Sequence, residues 1–218
     1  LSLACPEVRK IREVRGTVTE GDFWPEDPNR TRLFFGPTAR SLPKGRGYFG
    51  VYELVMPFLQ VGVSDRITVG GGTPFVYFDG GESHPFWFTP KIQILRSERT
   101  QLAAGVMHVV FSGDNEPVGI AYGVATHGSS DASVTAGLGY GYESDDLGTW
   151  IVMVGGDKRL SRGMKALVEG YVWEEGDGVV MLGVRFFGAR LSADLGVITG
   201  FGDGAAAVFP VVNVVWTF

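Results

Sequence analysis

At 218 residues the chain suits one large all-β domain or barrel and is too short for two comfortable domains. Apolar residues at 44% and charged residues at 20% exclude a disordered polymer, and a net charge of −5 without a basic, aromatic-interleaved stripe excludes a nucleic-acid binder. The single cysteine, Cys5, excludes an internal disulfide and a cysteine-rich metal site. The 33 glycines and 12% aromatics follow no collagen period and point instead to strands and tight turns.

Residues 1–30 are polar and proline-broken (Pro6, Pro25, Pro28), with a basic stretch at Arg9, Lys10, Arg12 and Arg15. They read as an extended periplasmic arm, placed to plug a lumen or to dock an envelope partner. The start lacks Met and reads as processed. Leu3-Ala4-Cys5 loosely resembles a lipoprotein box, but four residues precede the cysteine, so a free thiol is expected.

From Thr31 onward, runs rich in Val, Ile, Phe, Tyr and Gly alternate with short clusters of Gly, Asp, Ser, Asn or Pro. The expected strands are 31–41, 47–62, 66–78, 87–96, 101–112, 117–127, 132–143, 149–156, 164–173, 179–188, 192–201 and 208–218. No apolar run reaches the roughly 18–20 residues of a spanning helix. The longest, 51–63, is interrupted by Glu53, Pro57 and Gln60. Crossing a membrane would therefore require a closed barrel, the other structure that satisfies its own backbone in lipid. About twelve strands of about ten residues fit a closed antiparallel up-and-down transmembrane β-barrel with short loops at both ends, spanning 31–218.

Period-two alternation is clear in three runs. Val134, Ala136, Leu138, Tyr140 and Tyr142 oppose Ser133, Thr135, Gly137, Gly139 and Gly141. Val118, Ile120, Tyr122 and Val124 oppose Gly119, Ala121, Gly123 and Ala125. Val212, Val214, Trp216 and Phe218 oppose Asn213 and Thr217. The glycine-rich face makes a poor solvent surface but a suitable narrow lumen. Its expected polar lining is Arg32, Glu53, Lys91, Gln93, Lys165, Glu169, Arg185, Asp194 and Asn213, with opposite charges paired across the interior.

Alternate connections segregate by charge. One set, including 41–46 and 79–86, holds Asp79, Glu82, Asp114, Glu116, Glu143, Asp145, Asp146, Glu174, Glu175, Asp177 and Asp203. The other holds Arg66, Arg96, Arg99, Lys158, Arg159, Arg162 and Arg190. Strand parity puts the basic set at the end holding both termini, read as periplasmic. Aromatics gather near strand ends, as in interfacial girdles: Tyr48, Phe49, Phe86, Trp87, Phe88, Tyr142, Trp150, Tyr171, Trp173, Phe201, Trp216 and Phe218.

The ending Val-Val-Trp-Thr-Phe resembles the terminal-strand signal of bacterial outer-membrane proteins, with Trp216 and Phe218 as its aromatics. That resemblance implies assembly by the outer-membrane insertion machinery. The stretches Thr31-Arg32-Leu33-Phe34-Phe35-Gly36-Pro37-Thr38-Ala39-Arg40 and Lys44-Gly45-Arg46-Gly47-Tyr48 resemble an uncharacterised family of bacterial outer-membrane barrels. So do Ser64-Asp65-Arg66, Gly70-Gly71-Gly72, Thr89-Pro90-Lys91 and Gly119-Ile120-Ala121-Tyr122-Gly123-Val124-Ala125-Thr126. The likeness implies a class and a location, the lipid bilayer of the bacterial outer membrane, and no activity.

Catalytic chemistry is thinly represented. His84, His108 and His127 lack metal-ligand spacing. His127-Gly128-Ser129-Ser130 juxtaposes a base and a hydroxyl but falls on a turn. The glycine runs at 70–72 and 137–141 precede no helix, so no phosphate cradle is expected. The expectation is a non-enzymatic outer-membrane barrel, structural or a narrow pore, needing no cofactor or metal. The competing readings are a barrel subunit of a larger envelope assembly, an outer-membrane lipid-modifying enzyme, and a soluble barrel for an apolar ligand.

Overall fold

The computed structural model describes residues 16–19, 21–75, 83–113, 116–143, 147–173, 176–202 and 207–218. A two-stranded hairpin comes first, β1 (Gly16–Thr19) and β2 (Asp22–Pro25). The wall follows: β3 (Gly47–Tyr52), β4 (Met56–Gly62), β5 (Ile67–Gly72), β6 (Pro85–Phe88), β7 (Lys91–Arg96), β8 (Thr100–Phe111), β9 (Val118–Gly128), β10 (Ala132–Glu143), β11 (Leu147–Ser161), β12 (Met164–Trp173), β13 (Gly178–Phe187), β14 (Leu191–Phe201) and β15 (Val208–Thr217).

Each wall strand pairs antiparallel with its neighbours, β15 returns to pair with β3, and β4 pairs with β5, so the sheet closes. β6 and β7 are one stave interrupted at Thr89-Pro90, because proline offers no N–H to the ladder; both halves pair with β5 and β8. The wall is thus a closed antiparallel barrel of twelve staves.

Twelve is also the count expected from the alternation, but the staves differ. Residues 31–41 form no wall strand; they lie inside the barrel, so the wall begins at Gly47 rather than Thr31. The expected strand 47–62 is two strands joined by a tight turn, with Val55 donating to the Tyr52 carbonyl at 3.1 Å. Its central residues, Glu53 and Leu54, have φ of 49° and 61°. Such turns normally carry Asn-Gly or Asp-Gly, so a Glu-Leu pair gives no turn signal in the sequence. β11 runs to Ser161, longer than expected, and of the expected strand 66–78 the described ladder ends at Gly72, with 76–78 outside the described residues.

Cross-strand register fixes the faces. Outward lie Phe49, Leu59, Ile92, Leu138, Val154, Leu182, Leu195 and Trp216, each at least 44% exposed. On β10 the outward face is Val134, Ala136 and Leu138, with glycines inward. On β9 the expectation reverses. The small residues Ala121, Gly123 and Ala125 face out, while Ile120, Tyr122 and Val124 face in. The neighbouring glycines explain the inversion: a Cβ on Gly105 would meet the Tyr122 ring at 2.6 Å, and one on Gly137 would meet Val124 at 2.8 Å. Bulk from one strand fills the space left by glycine on the next.

Gly47 and Phe218 exchange backbone hydrogen bonds, which defines a terminal end. Lys44, Arg46, Arg66, Arg99, Arg162 and Arg190 lie there, so 41–46 belongs to this end rather than to the acidic set. At the far end the described acidic residues are Glu53, Glu116, Glu143 and Asp177. The other residues of the acidic set lie outside the described residues.

Leu54 is 62% exposed and holds left-handed backbone. Relief of that conformation outweighs the extra chain entropy of glycine. Leu54→Gly should therefore raise stability by roughly 0.5–1 kcal/mol, read as a higher urea midpoint for loss of the folded electrophoretic band.

Candidate functional site

The polar centre of the molecule is where residues 26–42 meet the inner wall. This inner segment touches β5, β7, β9, β12, β13, β14 and β15, staves from all round the closed sheet, so it occupies the lumen. Its middle is a hairpin loop: Leu33 donates to the Gly36 carbonyl at 2.9 Å and Thr38 to the Thr31 carbonyl at 3.0 Å. Leu33 and Phe34 are both fully buried, packed with Leu167, Met181 and Val211. A wall strand would bury only alternate residues; a segment surrounded on all sides buries consecutive ones. Gly155 and Gly196 on the wall leave the room that Leu33 and Phe34 fill.

The loop tip is held by one carboxylate. Glu169 of β12 accepts backbone N–H bonds from Phe34 at 2.6 Å, Gly36 at 2.7 Å and Phe35 at 3.2 Å, and Tyr171 donates to it at 2.6 Å. A Cβ on Gly36 would sit 2.5 Å from the Met153 sulfur and 2.6 Å from the Tyr171 hydroxyl, so a larger residue at the tip would displace these side chains. Across the lumen, Lys91 of β7 donates to the carbonyls of Arg40 at 2.7 Å, Thr38 at 2.8 Å and Thr31 at 3.3 Å. Gln93 donates to Ala39 at 2.8 Å.

A second cluster joins segment and wall by charge. Arg185 of β13 pairs with Asp194 of β14 at 2.6 Å and with Asp27 of the inner segment at 3.2 Å, and donates to the carbonyls of Asn29 and Leu33. Arg32 reaches Asp194 at 2.8 Å, and its guanidinium stacks 4.9 Å from the centre of the Tyr52 ring. Asn213 donates to Phe34 and Asp194. Lys165 bridges Asp157 at 2.7 Å and Asp27 at 3.6 Å. All of these side chains are buried. Burial pushes the Asp27 carboxyl upward, but Arg185 and Lys165 outweigh it and hold the group below the ordinary carboxylate range.

The nine residues read as polar lining therefore divide. Arg185, Asp194, Asn213 and Arg32 meet in one cluster, with Arg32 coming from the inner segment instead of the wall. Lys165 joins them through Asp27. Lys91, Gln93 and Glu169 each grip the segment's backbone separately. Glu53 stays apart, in the far-end turn, where its carboxylate accepts from Val212 at 3.3 Å. Asp27, Asn29 and Asp157 also belong to this centre but carry no lumen signal in the sequence: Asp27 and Asn29 fall in the proline-broken arm, and Asp157 sits beside the basic pair at 158–159. His127 faces outward and bonds Thr100 at 2.9 Å, while the Ser129 hydroxyl accepts from Asp131 and Ala132 within its turn. The two do not form a nucleophile–base pair.

Removing one member of a buried, coupled charge cluster leaves its partners uncompensated, at a cost of about 3–5 kcal/mol. Arg185→Met strips both Asp27 and Asp194 of their main partner and should lower unfolding stability by that amount, whereas Arg66→Met, at an exposed end, should change it by less than about 0.5 kcal/mol. Urea titration of the heat-modifiable band compares the two.

No family model matches the chain, and no curated protein does. Among solved structures the barrel is similar to the KdgM porin in complex with disordered oligogalacturonate, with a TM-score of 0.61 and 8% identity over 79% of this chain and 98% of that one. It is similar to the KdgM porin alone at 0.60, with 9% identity and the same coverage. At such identities the likeness is one of fold: a single-chain, closed, antiparallel β-barrel of porin-like build.

Proposed function

We propose that this protein is a bacterial outer-membrane barrel whose passage is held narrow by its own residues 26–42. The observation that carries the reading is the lumenal segment pinned to staves on opposite sides of the wall by Lys91, Glu169 and Arg185. The membrane setting rests on the outward face, where apolar side chains ring the barrel at solvent exposures no water-soluble surface of this extent sustains. Aromatics finish that belt at both ends: Phe49, Trp216 and Phe218 at the terminal end, Phe86, Trp150 and Phe201 at the far end.

The basic terminal end faces the periplasm in this reading, and the acidic far end faces outward. Trp216 and Phe218, adjacent on the outward face with ring centroids 5.8 Å apart, serve recognition by the outer-membrane insertion machinery. The short hairpin β1–β2 supports a periplasmic contact through residues 1–30. It projects Val18 at 74% exposure and Phe23 at 41%, and joins the wall through Thr17 on Asp131 and through Arg159, which donates to the Pro25 carbonyl. That exposed hairpin favours an envelope-assembly role alongside the narrow pore.

Conductance across a planar bilayer tests the proposal. The native barrel should show small or no unitary steps. Glu169→Ala, which frees three backbone amides of the loop tip, should give larger steps from a barrel that still migrates as folded. Equal conductance for the two proteins contradicts a segment-narrowed passage.

A further inference from the structure

The lumen is chemically divided. Its terminal half is polar, and the chain's own segment fills it. Beyond the level of Glu169 the inward face changes character. Register places Trp87 of β6, Met107 of β8, Ile120 of β9, Trp173 of β12, Ile198 of β14 and Phe209 of β15 on the inside. Phe209 pairs with Ile198, two positions along from the buried Val211, and Met107 pairs with Ile120, four along from the buried Ala103–Val124 pair. Among the described residues, the one charged side chain on the inward face of a stave beyond Glu169 is Glu143, at the rim end of β10.

Three of these inward side chains border open space, Phe209 at 61% exposure, Met107 at 38% and Trp173 at 36%, while Trp87 and Ile198 lie partly buried against the core clusters. The floor of that space is apolar too, with Phe35 of the inner segment edge-on to Tyr52 at 5.8 Å between ring centroids. A water-filled passage carries a polar lining. An apolar, aromatic, methionine-bearing concavity closed at its base is the chemistry of a binding site for a hydrophobic molecule.

We infer that the far half of the barrel is a binding vestibule for an uncharged, largely apolar small molecule entering from the acidic end. The acidic rim, with Glu53, Glu116, Glu143 and Asp177, and the uncharged lining both disfavour an anionic ligand. The inference rests on the membrane-barrel reading and goes beyond it, because a structural or ion-conducting barrel requires no such lining.

The chain's five tryptophans make the test direct. The triple variant Trp24→Phe, Trp150→Phe, Trp216→Phe keeps only Trp87 and Trp173, both vestibular. In lipid nanodiscs it is titrated with 1,10-dibromodecane, an uncharged apolar quencher. The expected result is a saturable fluorescence loss above the linear background of bilayer partitioning. Adding Phe209→Lys, which sacrifices little packing at an exposed position, should weaken the saturable component at least tenfold; Met107→Lys is the second such variant. Quenching that is linear only, and unchanged by either lysine, overturns the inference provided the same samples show the folded, heat-modifiable band. Loss of that band, or failure to enter the nanodisc, would count instead against the membrane barrel.

Discussion

Mutual satisfaction between buried wall charges and an irregular backbone is the constraint on which the structure depends. The wall turns Lys91, Lys165, Glu169, Arg185 and Asp194 inward, where each needs partners. Beyond the two backbone bonds of its hairpin loop, the inner segment has neither helix nor strand to satisfy its own amides and carbonyls. Each solves the other's problem: Lys91 takes three carbonyls, Glu169 takes three amides, and Arg185 takes three carbonyls with two carboxylates. Irregular backbone is tolerated in an interior where protein surrounds and satisfies it, and the barrel supplies that surrounding.

The division of the lumen follows from the same arrangement. Polar residues gather where the chain's own backbone can answer them, and the remaining inward face is left to Trp, Phe, Met and Ile. The barrel is therefore lined differently along its length, filled by its own chain below and apolar above.

The barrel was legible because its signal is local. Period-two alternation and turn clusters locate β8, β10, β12, β13, β14 and β15 closely, and stave parity sorts the loops by charge. The inner segment was not legible. Thr31–Ala39 has the apolar residues of a strand, and only the consecutive burial of Leu33 and Phe34, a tertiary fact, distinguishes it. The total of twelve survived because one false strand offset one missed turn at Glu53-Leu54, whose left-handed backbone no residue type there announces. The inverted faces of β9 had a similar cause. Alternation shows that two faces differ, but which one points inward depends on where neighbouring strands leave space, here over Gly105, Gly137 and Gly139.

The central claim, that residues 26–42 fill the barrel, is tested most directly by thiol accessibility. In a Cys5→Ser background, Thr38→Cys places a thiol at a buried position of the inner segment and Lys44→Cys places one at an exposed position. A bulky, membrane-impermeant maleimide should label the Lys44→Cys protein readily and leave the folded Thr38→Cys protein unlabelled, with both reacting fully after boiling. Equal labelling of the two folded proteins would mean the segment lies outside the lumen, contradicting the account.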